Sequence, residues 1–517
     1  MNTDWSRKGV MNRWGFFLVA AVSIADVAHA ADLPTAQGSA PTLAPGCFAS
    51  FWTWLDSTAA DCPINYAGFT VYAVLDAGLG YYSQGAAWNP AVFNGTQGLI
   101  SKQSNGSKWL WSPNNINQSV IGIKMSEPIN DDWSIIGTVE AGFDPISGEL
   151  ANSQRSQVMN NGRALALQSA NGDSSRAGQW DNSQAFIGFS SYVFGALTGG
   201  RVNTLSLDGL IAYDPMGSAY AFSPFGFTGM YAGFGDPELA RSNTAIKYRL
   251  DYINFRAAVL AQIGGYDQGN GSASMWQGQI GGDVNLFGGV LSLDAVGSYA
   301  KDGVITSIFN GTCAVLTRGP FAGQTGCVSG IPNFYSADDL KATLSNNAGV
   351  LLFAKYAWGA FNIFGGYEYF RNANPSDDYP DGFKTIGGYN VPGNIIGNKN
   401  FPTNWIIANA YDINRIYNVF WGGVKYAVND KIDLMGAVYY AQQNNFSTTP
   451  CTGNGIHTSS AACAGTLDAF SFMIDYRPVQ RVDLYAGVAL SNVYRGLASG
   501  FLQTQNIDPT VGLRIKF

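Results

Sequence analysis

One repeated unit constrains this chain more than anything else. It consists of an alternating apolar/polar stretch, a very short turn, a second alternating stretch and then a long polar segment, and it recurs from Phe69 to the last residue, Phe517. Side chains of an extended strand point alternately to two faces, so each stretch presents one apolar face and one mixed face. In Val482–Leu490, the residues Val482, Leu484, Ala486, Val488 and Leu490 share a side, and Asp483, Tyr485, Gly487 and Ala489 share the other. Ile432–Tyr440 divides in the same way, with Asp433, Met435, Ala437 and Tyr439 on the mixed side. Predicted strands run from Phe69–Ser83, Ser119–Pro128 and Trp133–Asp144, through Ser242–Leu250 and Phe255–Gly265 meeting around Asp251, to Leu467–Tyr476, Val482–Asn492 and Pro509–Phe517, sixteen in all. Seven short turns at one end and eight long loops at the other describe an antiparallel meander that can close on itself.

Composition says which face meets water. Charged residues make up 13% of the chain, about half the usual share of soluble domains. Aromatics reach 14% and glycines number 63. A soluble β-solenoid or lectin-like protein is the plain competitor, and a soluble sandwich would need its apolar faces to meet in a core. Regular short/long alternation behind an export signal favours instead an all-β transmembrane antiparallel β-barrel of 16 strands with a polar lumen. The export signal is the start of the chain. Arg7, Lys8 and Arg13 precede the apolar run Trp14–Ala25, and Ala28-His29-Ala30 is an A-x-A cleavage site. Translation from Met11 would give a leader of more ordinary length. The expected organisation is therefore 1–30 signal peptide, 31–68 N-terminal periplasmic segment and 69–517 barrel. Whether 31–68 plugs the periplasmic mouth is not fixed by the sequence.

No uninterrupted apolar stretch of 18 or more residues follows the leader, so no helix is expected to span a membrane. The whole chain carries a net charge of −7, and losing the leader's two acids and three bases leaves −8. That sign argues against nucleic acid as a partner. Six cysteines form three local pairs, Cys47/Cys62, Cys313/Cys327 and Cys451/Cys463. Export favours disulfides between these neighbours. A zinc site is the alternative, although no spacing is C-x-x-C and His457 is the one histidine outside the leader. No phosphate loop, metal cluster or dinucleotide fingerprint is present, so neither a cofactor nor a metal is expected. An enzyme using a Ser-His-Asp arrangement would have to recruit His457, and the chain is read as non-enzymatic.

Several stretches carry a family resemblance: VYAVLDAGLGYYS, SVIGIKMSEPINDDWSIIGTVEAGFD, QAFIGFSSYVFGALTGGRVNT, RSNTAIKYRLDYINFRAAV and the terminal Phe517. In their order and spacing, from about Phe69 to Phe517, they resemble the general diffusion porins of Gram-negative outer membranes. The lead ADLPTAQ with its Cys47/Cys62 pair looks like the alphaproteobacterial type. The resemblance implies a homotrimer in the outer membrane, bounded by lipid and lipopolysaccharide and passing small hydrophilic solutes and ions by passive diffusion. A substrate-specific outer-membrane channel, or an adhesin built on the long loops, is the runner-up. In the family a C-terminal aromatic belongs to the signal read by the barrel-insertion machinery, and here Phe517 is expected on the lipid-facing side.

The resemblance also implies that the third long loop, Thr204–Ala240, folds inward. Its charged residues are Asp208, Asp214, Asp236 and Glu238, with no Lys or Arg. The next strand begins at Arg241 and carries Lys247 and Arg249 on the same parity, all three expected to face the lumen. Arg201 and Lys124 match basic wall positions of the family. Acids on the loop opposite bases on the wall would create a transverse field that selects solutes without chemistry. The chain departs from the family in having Val120 and Ser183 where Arg is frequent, and in Ser223-Pro224-Phe225-Gly226 where the loop tip usually carries an acid. Cations are therefore expected to be mildly preferred.

Overall fold

Every strand of the wall pairs antiparallel with its successor in the chain, and the last pairs with the first. The computed structural model describes residues 46–85, 106–148, 183–225, 241–268, 270, 272–308, 340–376, 410–451, 462–498 and 503–517, with four two-residue stubs between 385 and 407. The wall consists of β1 (Phe69–Tyr82), β2 (Ser119–Pro128), β3 (Trp133–Phe143), β4 (Gln184–Ser191), β5 (Gly195–Asn203), β6 (Arg241–Tyr252), β7 (Phe255–Gln262) and β8 (Ser274–Leu286). It continues as β9 (Gly289–Ile308), β10 (Leu340–Trp358), β11 (Phe361–Ala373), β12 (Arg415–Asn429), β13 (Ile432–Gln443), β14 (Gly465–Val479), β15 (Val482–Arg495) and β16 (Gln505–Lys516). The ring closes where β1 meets β16, in register from Val74↔Lys516 to Gly80↔Thr510. The result is a closed sixteen-stranded barrel.

Burial follows the alternation seen in the sequence. Ile187, Phe189, Val259, Ile280, Leu352 and Val511 are exposed on the outer face, while Leu260, Val296, Phe353, Tyr485 and Thr510 on the inner face are buried. For a soluble domain this would be inside out; a barrel whose outer band meets hydrocarbon accounts for it. Aromatics gather where the outer face reaches the short turns, with Trp133 stacked on Phe194 (6.0 Å between centroids) and Phe361 on Tyr426 (4.6 Å).

All sixteen expected strands are present, with shifted ends. β9 and β10 outrun the expectation because an irregularity at Asp302 (φ 52°) interrupts the apolar alternation without ending the pairing. The β6–β7 turn lies at Ile253-Asn254 rather than Asp251. Ile253 has a φ of 56°, a conformation that a β-branched residue rarely adopts and a sequence pattern does not reveal. A bulge between Tyr476 and Val479 absorbs Pro478, so the β14–β15 turn comes later, at Gln480-Arg481.

The second wall position is occupied by two pieces. β2 pairs with the first half of β1 (Phe69↔Met125 to Val74↔Val120), and Lys108–Pro113 pairs with the second half (Ala77↔Pro113 to Tyr82↔Lys108). Between them residues 114–118 leave the ladder, starting at Asn114 with φ 59°. Asp76 on the inner face of β1 repairs the break. Its carboxylate accepts the main-chain N–H of Ile116 (2.6 Å) and of Asn117 (2.9 Å), and also the Tyr485 hydroxyl.

Ahead of the barrel lies a small clasp. Ser50 caps α1 (Phe51–Leu55) by accepting the Thr53 N–H, the Cys47–Cys62 disulfide closes the loop around it, and Ile64–Tyr66 pairs with Phe69–Val71. Arg481, buried in the β14–β15 turn, holds the clasp in place. Its guanidinium donates to the carbonyls of Trp54 (3.0 Å), Thr58 (3.0 Å) and Cys62 (2.7 Å) and lies over the Trp54 ring at 4.4 Å. Trp54 and Leu55 pack on Val482 and Phe517, which belong to the outer parity, so this part of the clasp sits on the outside of the rim.

Asp76→Ala should leave two buried N–H donors without acceptors, a loss of about 2–6 kcal/mol. The temperature at which the folded barrel converts to the unfolded form, followed by gel mobility in detergent, should fall accordingly. A wild-type transition would show that the break is held some other way.

Candidate pore constriction

The connection after β5 turns at once into α2 (Leu205–Tyr213), capped by the Thr204 hydroxyl, which accepts the Leu207 N–H. Its partners lie far around the wall. The Leu205 N–H donates to Gln277 of β8 (2.7 Å), and the Gln277 amide donates back to Ser206 (2.7 Å). The Trp421 indole N–H of β12 donates to the Tyr213 carbonyl (3.1 Å), and the Tyr439 hydroxyl of β13 donates to Asp214 (2.6 Å). Beyond the helix, Ala221 N–H donates to the Asn115 carbonyl (2.9 Å), inside the break opposite Asp76. Phe225 packs edge-on against Trp421 (4.9 Å), and Phe222 against Tyr485 of β15 (6.4 Å). Each of these strand residues belongs to the buried parity. Two wall glycines make the close approach possible: a Cβ on Gly423 would stand 2.6 Å from Pro215, and one on Gly487 would stand 2.6 Å from Phe222.

The expected acid/base residues lie in different settings. Asp208, in the first turn of α2, forms an ion pair with Lys247 of β6, and Lys247 also donates to the Asn203 carbonyl (3.0 Å). Lys247 is only 2% exposed. The helix N-terminus adds its own positive field at Asp208. Asp214 bonds Tyr439 and the Ser218 N–H (2.7 Å), with no base among those partners. Arg201 donates to the Ser183 carbonyl (3.0 Å) and to Asn243. Arg249 lies nearer the short turn, paired with Asp251 at 2.9 Å. Lys124 sits 4.8 Å over the Tyr72 ring. Arg241 is buried, but Thr244 (φ 43°) and a register shift opposite it separate Arg241 from Lys247 and Arg249, so simple parity does not link the three. Asp236 and Glu238 lie outside the described residues, as do Cys313, Cys327 and His457.

A further set of ion pairs lies on the inner face close to the short turns; sequence reasoning placed Asp433 and Asp483 on the mixed face but did not pair them. Arg256 of β7 donates to Asp283 (2.8 Å) and Asp294 (2.9 Å), and Tyr213 of α2 joins them through its hydroxyl. Asp433 and Asp475 stand directly opposite on β13 and β14, where like charges repel. Arg477 bridges them at 2.7 and 3.1 Å, and Lys425 adds a bond to Asp433 at 2.8 Å. Arg514 pairs with Asp483 at 2.6 Å in direct cross-strand register, with Lys516 at 3.5 Å. The available signal was parity: Asp433, Asp475 and Asp483 occupy mixed-face positions within a few residues of a turn.

Among the described residues two disulfides are formed, Cys47–Cys62 and Cys451–Cys463, which answers the zinc alternative for those four thiols. Among the described residues no group of three His, Cys, Asp or Glu side chains could hold a metal ion.

Burial pushes the Asp214 carboxyl above the usual carboxylate range, against the pull of its hydrogen bonds. With the seated pKa raised, the seated segment binds more protons than the released one between the two values, so seating weakens as pH rises through that window. Acidification should therefore quiet fluctuations of the open-channel current, and Asp214→Asn should remove the pH dependence. Noise that grows on acidification would contradict this seat.

A profile of Gram-negative porins matches residues 18–494. No curated protein matches the chain. Among solved structures, in-vitro folded OmpT, an outer membrane protein of Vibrio cholerae, is similar at 13% identity over 88% of this chain and 99% of its own, with a TM-score of 0.47. The outer membrane channel DcaP of Acinetobacter baumannii is similar at 11% identity, covering 88% and 98%, with a TM-score of 0.43. OmpF of Salmonella typhi, in a complex with daunomycin, is similar at 12% identity, covering 87% and 98%, with a TM-score of 0.42. The extent of the profile match decides the matter: the chain belongs to the Gram-negative porin family and is an outer-membrane channel protein.

Proposed function

We propose that the chain is a general diffusion porin, a passive, non-enzymatic pore for small hydrophilic solutes and ions, in which the third long connection folds inward and narrows the lumen. The observation that carries this reading is the course of Thr204–Phe225. It leaves β5 and bonds inner-face side chains of β8, β12 and β13, strands well round the barrel from its origin. A peptide lying along the inner wall reduces the section open to solutes. The Asp208–Lys247 pair supports a constriction lined by acids of the loop and bases of the wall. Asp214, Asp236, Glu238, Arg201, Arg241, Arg249 and Lys124 complete the proposed set. The low dielectric of a narrow section makes the field of such charges stronger than in bulk water.

The family also supports a homotrimer set among outer-membrane lipid and lipopolysaccharide. A porin subunit packs by closed rotational symmetry, and one solved form of Vibrio cholerae OmpT is described as a trimer. Unheated protein should accordingly run as a high-mass, heat-sensitive band, and cross-linking in native membranes should stop at three copies. A monomer would exclude the assembly while leaving the pore intact.

Ion preference tests the constriction. With Val120 and Ser183 lacking positive charge, the pore should be mildly cation-selective. Replacing Asp208 and Asp214 by Asn should shift reversal potentials toward anions, and Arg241→Ala should shift them toward cations. Both shifts should shrink with salt, because the Debye length falls from about 10 Å at 0.1 M to about 3 Å at 1 M. Unchanged low-salt potentials in all three variants would place the constriction elsewhere. One-sided competition between solutes in liposome swelling would favour a substrate-specific channel.

A further inference from the structure

The clasp before β1 presents large apolar side chains that stand exposed among the described residues. Phe48 is 56% exposed, Phe51 62% and Trp52 73%. Three aromatics in one short, disulfide-closed segment do not belong in water. Rings lead outward from the wall: Phe517 to Trp54 at 5.6 Å, Trp54 to Phe51 at 6.1 Å and Phe51 to Trp52 at 5.7 Å. Phe517 ends the lipid-facing parity of β16, so this series begins on the membrane side of the wall.

The sheet itself continues the surface. Below the last residue of β16, Ile64–Tyr66 takes over as the neighbour of β1, with Ile64 opposite Val71 and Tyr66 opposite Phe69. Directly opposed residues share a face, and Val71 and Phe69 are exposed on the outer one, as are Ile64 and Tyr66. The clasp thus extends the outer band past the end of the barrel, on the short-turn side that faces the periplasm.

We propose that the clasp is an interfacial membrane anchor that lays Phe48, Phe51 and Trp52 into the headgroup region of the periplasmic phospholipid leaflet. Trp and Tyr favour that depth because an apolar ring and a polar edge are both accommodated there. Charge identifies the kind of lipid. Residues 46–68 carry Asp56 and Asp61 and no Lys or Arg, so anionic headgroups offer no attraction. The anchor fits a zwitterionic phospholipid surface, and its hold should be insensitive to salt. Arg481 keeps it at the right height, because its guanidinium is spent on three clasp carbonyls.

The test uses the full-length protein in outer membranes, with p-benzoylphenylalanine in place of Trp52 and, as an aqueous control, in place of exposed Asp131 in the β2–β3 turn. Folding is scored by the heat-sensitive gel band. Irradiation should couple position 52 to phospholipid and position 131 to none. Adducts of position 52 with a second copy of the chain, with another protein or with nothing would overturn the proposal. A second reading avoids the bulky substitution. In zwitterionic vesicles, the emission lost on Trp52→Phe should be quenched by phospholipid brominated near the headgroup, equally at low and high salt. Water-exposed emission, or quenching that salt abolishes, would also overturn it.

Discussion

The seam between β1 and β16 is the constraint on which everything else depends. In hydrocarbon an unpaired strand edge leaves a row of donors and acceptors that no water can satisfy. Pairing Val74–Gly80 with Thr510–Lys516 removes both edges at once. Once the sheet is closed, its outer face is committed to apolar side chains, and polar groups can go only inward. The interior is then too wide for facing side chains to fill. The wall meets this with side-chain networks such as Arg477 between Asp433 and Asp475, and its inner-parity residues Gln277, Trp421 and Tyr439 bond the connection after β5.

Much of this was legible in the sequence, because alternation is a one-dimensional signal. Val482–Leu490 declared its two faces outright, and all sixteen strands formed around the stretches the pattern marked, with ends that shifted. Failures occurred where the chain departs from extended geometry. Ile253 with positive φ, the bulge that hides Pro478 and the break at Asn114 leave no periodic trace. The pairing of Lys108–Pro113 with β1 was missed for the same reason: the break divides one wall position between two short pieces, and the first lies inside a long polar segment.

The candidate site was legible in part. Asp208 and Lys247 could be singled out as loop acid and wall base, and they are bonded to each other. The setting of Asp214 could not be foreseen, since its partner Tyr439 lies 225 residues along the chain. The ion pairs around Arg256, Arg477 and Arg514 could not be foreseen because each residue, taken alone, reads as solvated. Only the closed register reveals that Asp433 faces Asp475 and Asp483 faces Arg514.

The notches at Gly423 and Gly487 carry a mechanical consequence. Pro215 and Phe222 occupy them, so the segment that starts at β5 is pinned to β12 and β15 by shape as well as by hydrogen bonds. A cylinder one sheet thick resists stretching along its hydrogen bonds but is easily flattened into an ellipse. A segment fixed at both ends of a chord works as an internal tie-rod and holds the cross-section round. Flattening this barrel would have to break those contacts, which a side chain at either glycine would already displace.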